Sequence, residues 1–155
     1  MLAAIQEPRG GGRFEQSREA LKMAEILTRC GFRCALCPAY EPNLTSFADR
    51  QRVSDGWLKY FAFRTRPEEV GCVGCLNGGR HAYENCPVRP CAIQRGLTNC
   101  AHCGEYGCEK LKPILDFTEE LMKKFAGMPE EDCELFIKPY EGKPRLTQIR
   151  LSLGK

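Results

Sequence analysis

The sequence has little that suits it to a membrane. No run among its 155 residues approaches the roughly 18 apolar residues of a spanning helix. Met1 to Arg13 lacks the apolar stretch and small-residue cleavage site of a secretory leader, so a soluble, cytoplasmic protein is expected. No internal repeat is visible, and a chain of this length is expected to form one compact unit. Neither sign of charge dominates: 23 Lys and Arg stand against 20 Asp and Glu, a formal balance of +3. Hydrocarbon is scarce as well. The apolar share of 43% includes 11 cysteines, and the mean hydropathy is −0.41. Residues 65 to 108 are rich in Gly, Pro, Asn and Cys and follow neither the strand nor the helix period, so without crosslinks they make poor core material.

What the chain does have is thiols. Ten of the cysteines fall between Cys30 and Cys108 at short spacings: Cys30-x3-Cys34-x2-Cys37, Cys72-x2-Cys75, Cys86-x4-Cys91 and Cys100-x2-Cys103-x4-Cys108. A C-x2-C pair lets two thiolates converge on one ion from a single tight turn, and tetrahedral Zn²⁺, with Zn–S distances of about 2.3 Å, accepts two such pairs. Three such pairs occur. An odd cysteine count and the absence of an export leader favour reduced thiols holding metal over a disulfide framework. Structural zinc contributes about 10–16 kcal/mol of apparent binding energy in small peptides, as much as the whole stability of a typical domain. Two four-thiolate zinc sites would each carry −2, taking the balance of +3 to about −1, so the loaded protein need not be basic.

Elsewhere Met1 to Arg13 is expected to be a flexible leader, and Phe14 to Arg29 a helix carrying Ala20, Leu21, Ala24 and Leu27 at helical spacing, with Gly31 suited to its C-terminus. A second helix capped at Asn43 or Thr45 would carry Phe47, Val53, Trp57, Leu58 and Phe61, although Asp55-Gly56 signals a turn within it. The strongest helical face is Leu111, Ile114, Leu115, Thr118, Leu121, Met122 and Phe125, with Pro113 near its start and Gly127 past its end. Glu134–Lys138 and Leu146–Leu153 are expected to pair as a hairpin around Glu141-Gly142-Lys143-Pro144, because Ile149, Leu151 and Leu153 alternate with polar residues. The expected fold is a small metal-stapled α+β structure. It is mainly helical, with a Cys-rich irregular middle and a C-terminal β-hairpin, and is divided into a leader at 1–13, a metal-binding domain at 14–127 and an extension at 128–155.

The blocks Cys30-Gly31-Phe32-Arg33-Cys34-Ala35-Leu36-Cys37-Pro38-Ala39-Tyr40 and Gly71-Cys72-Val73-Gly74-Cys75 resemble a prokaryotic family known only as domain of unknown function 3795. The blocks Cys86-Pro87-Val88-Arg89-Pro90-Cys91-Ala92 and Asn99-Cys100-Ala101-His102-Cys103-Gly104-Glu105-Tyr106-Gly107-Cys108 resemble it too, and the segment around Trp57, Tyr60, Phe61 and Pro67-Glu68-Glu69 is similar to its linking helix. The resemblance runs from about Cys30 to Phe125. It implies zinc binding without an established activity, and the helix before Cys30 and the tail after Gly127 are additions to the short family form.

The candidate metal ligands are therefore Cys30, Cys34, Cys37, Cys72, Cys75, Cys86, Cys91, Cys100, Cys103 and Cys108, with two or more Zn²⁺ as the expected cofactor. Ten cysteines exceed two four-thiolate sites by two: either two thiols are spare, or a cluster shares ligands, or a third site recruits His81 and His102. Thiolates suit iron equally well, so an iron–sulfur electron-transfer or redox-sensing protein is the alternative. Cys30-x3-Cys34-x2-Cys37 also has the radical S-adenosylmethionine spacing, but the chain is short for that chemistry, Leu36 stands where an aromatic is usual, and no alternating βα pattern follows. Cys133, the one thiol outside the framework, reads as a half-buried strand residue rather than a nucleophile. Glu119 and Glu120, and Glu130 to Asp132, read as solvated charges, and no acid or base is assigned. Lys138, Lys143, Arg145 and Arg150 flank Phe136 and Tyr140 and could form a nucleic-acid face, which scattered surface charge explains as well. The sequence thus favours a zinc-binding structural or protein-interaction module, since a full set of Cys ligands leaves no open position for a catalytic water. Nucleic-acid binding through zinc knuckles is a second alternative.

Overall fold

The computed structural model describes residues 27–155. Five helices order the described residues: α1 (Phe47–Phe61), α2 (Val88–Gln94), α3 (Lys112–Lys124), α4 (Glu130–Phe136) and α5 (Gly142–Ser152). Single 3-10 turns precede α1, as at Cys34–Leu36, and lie between the helices, as at Cys100–His102 and Lys138–Tyr140. The expected leader and most of the expected helix from Phe14 to Arg29 lie outside the described residues. From Leu27 the chain is not helical, and Leu27 and Arg33 form an antiparallel bridge around a tight loop. No helix among the described residues is long and apolar enough to cross a membrane.

The start of α1 is written locally. Ser46 caps it, accepting from the Asp49 N–H at 3.2 Å while the Asp49 carboxylate accepts from the Ser46 N–H at 2.8 Å, a reciprocal pair that satisfies two otherwise orphaned donors. Asp49 also accepts from the backbone and hydroxyl of Thr45, and these donors hold its carboxyl below the ordinary range. Asp55-Gly56 makes no turn. Gly56 is buried inside the helix because the Phe136 ring lies flat against it, and a Cβ there would stand 1.9 Å from Phe136 Cζ.

Helix α3 follows its sequence pattern. Proline stands in its first turn, Ile114, Leu115, Thr118 and Leu121 are buried, and Lys123 and Lys124 occupy its last turn, where cations offset the helix dipole. Its two ends serve two cores. Ile114 and Leu115 join an aliphatic cluster with Cys30, Cys86, Val88, Ala101, Leu111 and Leu146. Leu121 joins an aromatic cluster with Val53, Trp57, Tyr60, Val70, Phe136 and Ile137, flanked by Phe61, Phe117 and Phe125. Aromatic rings in the second core meet edge to face, as in Tyr60–Phe125 at 5.1 Å and Phe61–Phe117 at 5.2 Å, the arrangement the ring quadrupoles favour.

The C-terminal hairpin is not there, and the α+β assignment falls with it. The described residues contain no strand, only the isolated bridges Leu27–Arg33 and Tyr40–Cys72, and both expected strands are helical. Glu130, Glu131 and Asp132 fill the first turn of α4 and complement its dipole, so a helix starts before the expected strand could. In α5, Leu146 and Ile149 lie three apart on the inner face, with Leu146 fully buried, while Leu151 is 65% exposed and Leu153 44% exposed. The alternating triplet thus runs from the inner face of a helix at Ile149 to its outer face at Leu151 and the exposed Leu153 beyond its end. Pro144 sits in the first turn of α5, where a missing N–H costs nothing.

Candidate metal centre

Backbone geometry brings the first two cysteine blocks together. Cys34–Leu36 is a 3-10 turn closed by Cys37 N–H donating to the Cys34 carbonyl at 3.0 Å. Asn43 braces it by donating to the carbonyls of Ala35 at 3.0 Å and Cys37 at 2.8 Å. The parallel bridge Tyr40–Cys72, with Glu41 N–H donating to the Cys72 carbonyl at 2.9 Å, lays the Cys72–Cys75 turn beside the Cys34–Cys37 turn. That second turn needs Gly74 at φ +91°, a region that disfavours side chains. Cys75 N–H then donates to Cys34 Sγ at 3.4 Å.

The four sulfurs line a cavity of about 120 Å³ that Cys30, Cys86 and His81 also line. Tyr140 Oη, from the far end of the chain, stands 3.2 Å from Cys37 Sγ. Burial raises the thiol pKa values of the metal-free protein here: Cys30 to about 12 and Cys34 to about 11, with Cys37 moved in the same direction. Burial, together with neighbouring Cys37, also holds the Tyr140 hydroxyl well above its ordinary value.

A second cavity, of about 350 Å³, is lined by Cys91, Cys100, Cys103 and Cys108. Cys91 comes from α2, and Cys100 and Cys103 flank a 3-10 turn that Asn99 caps by accepting from the Ala101 N–H at 3.0 Å. Cys108 follows Gly107 at φ +81°, and its carbonyl accepts from Leu111 and Lys112, so this loop runs straight into α3. Burial raises Cys100 to about 11, neighbouring thiols adding to the effect. Charged groups stand at this mouth: Arg95 donates to Cys103 Sγ at 3.7 Å and pairs with Glu105 at 2.5 Å. Arg150 stacks over the Tyr106 ring at 4.4 Å and donates to the Ala101 and Cys103 carbonyls. Cys100 N–H donates to the Arg29 carbonyl at 2.8 Å, which joins this loop to the one bearing Cys30.

The ten candidate cysteines thus divide six and four between two cavities. Among the described residues, no three Cys, His, Asp or Glu side chains stand ready to hold a metal ion as they are placed; the sulfurs share cavities without converging on a point. The donor chemistry fits a thiophilic ion in three respects. The Cys75 N–H aims at the Cys34 sulfur, all eleven described cysteines are free thiols, and the buried Nε atoms of Arg33 and Arg89, both lining the first cavity, lack a partner among the described residues.

Neither histidine is placed in favour of the third-site alternative. His81 lies against the first cavity, but its Nε2 is 3.1 Å from the Gly74 carbonyl and 2.9 Å from that of Asn77, so that nitrogen is a donor and not a ligand. His102 is exposed and lines neither cavity. Cys133 is on helix α4, not a strand, and its sulfur lies 3.8 Å from the Met128 carbonyl. The four C-terminal bases do not form a free basic face: Lys138 pairs with Glu134, Lys143 with Glu119 at 2.9 Å, and Arg145 and Arg150 donate to backbone carbonyls. Sequence reasoning passed over Arg33, Arg89, Arg95 and Tyr140. The arginines left a signal, each being next to or within one turn of a block cysteine, while nothing local marks Tyr140.

The family model described as Protein of unknown function (DUF3795) matches residues 26–113, more than half of the chain. The chain belongs to that family. The match covers every cysteine lining either cavity and ends at the start of α3, so Tyr140 and α5 lie beyond the segment shared with other DUF3795 members. No curated protein and no solved structure matches the chain.

Proposed function

We propose that this DUF3795 protein binds thiophilic metal ions, zinc in the first place, and serves as a structural or protein-interaction module. The reading is carried by one observation: the block cysteines gather around two cavities, with Cys34, Cys37, Cys72 and Cys75, from two distant blocks, at one and Cys91, Cys100, Cys103 and Cys108 at the other. Each set supplies the four thiolates that close a tetrahedral Zn²⁺ site and leave no position for an activated water. Zinc bound there would link Cys34–Cys37 to Cys72–Cys75, and α2 to the loop before α3, crosslinking the stretch poorest in hydrocarbon.

Elemental analysis of native protein purified without chelator tests this. At least two zinc ions per chain are expected in a colourless preparation, and a value near zero overturns the reading. The larger volume of the second cavity, about 350 Å³, favours an iron–sulfur cluster as the second reading at that site alone. A brown anaerobic preparation with thiolate-to-iron absorption would support it, and a colourless one with full zinc would dismiss it.

A further inference from the structure

We infer that Cys30 and Cys86 are not spare thiols: the first cavity takes two divalent thiophilic ions in one six-sulfur cluster, with Cys30, Cys34, Cys37, Cys72, Cys75 and Cys86 as ligands and Arg33 and Arg89 as its counter-charges. This rests on the metal-binding reading and adds to it the number and sharing of ligands. All six cysteines line the same cavity. Cys30 is 6% exposed and Cys86 9% exposed, within a cluster of aliphatic side chains. A buried cysteine in such a place ordinarily acts as a small hydrophobe with an idle sulfur. The Cys30 sulfur is not idle. Thr28 Oγ1 stands 3.5 Å away, Cys75 and Cys86 lie near it across the cavity, and since burial holds the thiol protonated in the metal-free chain, ionisation there calls for a bound cation.

The guanidiniums supply the independent observation. Arg33 Nε and Arg89 Nε are buried without a hydrogen-bond partner among the described residues, and both residues line this cavity. Arg89 also donates to the Tyr83 carbonyl at 3.0 Å, so what the cavity lacks is counter-charge: a buried cation beside neutral thiols is costly, and thiolates in the same cavity would offset that cost. Six thiolates and two divalent ions carry −2, which two guanidiniums cancel. Coordination number then favours sharing, because four terminal sulfurs and two bridging ones fill the eight positions that two tetrahedral ions need. His81 cannot make up a shortfall through Nε2, which is committed to the carbonyls of Gly74 and Asn77. The second cavity keeps its own four cysteines, so the full chain takes three ions.

Cadmium loading of the full-length, reduced, metal-stripped chain tests this. Titration followed by thiolate-to-cadmium absorption is expected to end at three Cd²⁺ per chain. Cadmium-113 NMR should show three resonances, two of them mutually coupled through shared sulfur. Cys30→Ser should lower the end point from three to two and remove the coupling. Because Cys86→Ser alters a buried site and can misfold, the wild-type count and coupling decide the matter by themselves. An end point of two in the wild type, or three uncoupled resonances, overturns the shared cluster and leaves the metal-binding reading standing. Absence of bound cadmium overturns both.

Discussion

The two cysteine cavities are built on opposite terms. The first is small, about 120 Å³, and its sulfurs meet Tyr140 and the ends of both hydrophobic cores. The second, about 350 Å³, carries Arg95, Glu105 and Lys110 among its lining residues. In the first, the walls come from distant parts of the chain, joined by the Tyr40–Cys72 bridge and by the C-terminal segment. In the second, they come almost wholly from residues 88 to 111. A site assembled from distant segments ties its own occupancy to the integrity of the whole fold. A site assembled from one continuous stretch can open while the rest stays packed.

The sharpest way to break this contrast is to remove one ligand from each site. Cys72→Ser is expected to lower the thermal midpoint of the zinc-loaded chain far more than Cys103→Ser, because the first site links segments that both cores depend on and zinc linkage is worth several kcal/mol. Scanning calorimetry with parallel zinc counts reads it, and equal losses would show the sites to be mechanically equivalent. Phe136→Ala, in the aromatic core, and Leu146→Ala, in the aliphatic core, are each expected to cost about 2–5 kcal/mol by denaturant unfolding. Only Phe136→Ala should make Gly56→Ala harmless, since the Phe136 ring is what a Gly56 Cβ would strike. With the ring in place, Gly56→Ala should cost about 1–3 kcal/mol.

Alkaline pH separates the regions more gently. A thiol whose folded pKa is raised stays protonated in the native chain while the unfolded chain ionises, so its stabilising share is complete below the ordinary thiol value and is lost as pH climbs through the folded value. Cys30, Cys34 and Cys37 are raised at the first cavity, the first two to about 12 and about 11, against Cys100 at the second. Metal-free reduced protein should therefore lose Trp57 fluorescence structure from about pH 9 upward, and zinc should delay the transition. A flat profile to pH 12 would mean that the thiols are not buried. The smallest effect belongs to Arg95→Gln. It removes an exposed ion pair and one contact to Cys103, a loss of about 0–1 kcal/mol, and should weaken zinc at the second site by a few-fold at most, leaving the first unchanged in competition with a chromophoric chelator.

How far these features could be read from sequence depended on how local their causes are. Helix α3 was legible because its apolar stripe, its early proline and its terminal lysines all act within the helix. Helix α1 was legible apart from its cap, which is Ser46 and not Asn43 or Thr45, and from Gly56, which a sequence marks as a breaker and the fold uses as a seat for the Phe136 ring, eighty residues away in sequence. The C-terminal segment carried two periods at once, and only burial of Leu146 and Ile149 beneath exposed Leu151 and Leu153 decides between them. The cysteine blocks were legible in their spacing, but their division into six and four depends on which turns lie side by side, and that is set by the Tyr40–Cys72 pairing across thirty-two residues of sequence.

The close approach of Gly31 and Gly142 has a consequence for where this protein ends. A Cβ on Gly142 would stand 2.5 Å from the Cys30 carbonyl oxygen, and one on Gly31 would stand 2.7 Å from that of Gly142, so the first cysteine loop and the start of α5 touch backbone to backbone. The matched family segment stops well short of Gly142. Shortening the chain to residues 26–113 would therefore bare the backbone of the first cysteine loop and strip Tyr140 from the lining of the first cavity.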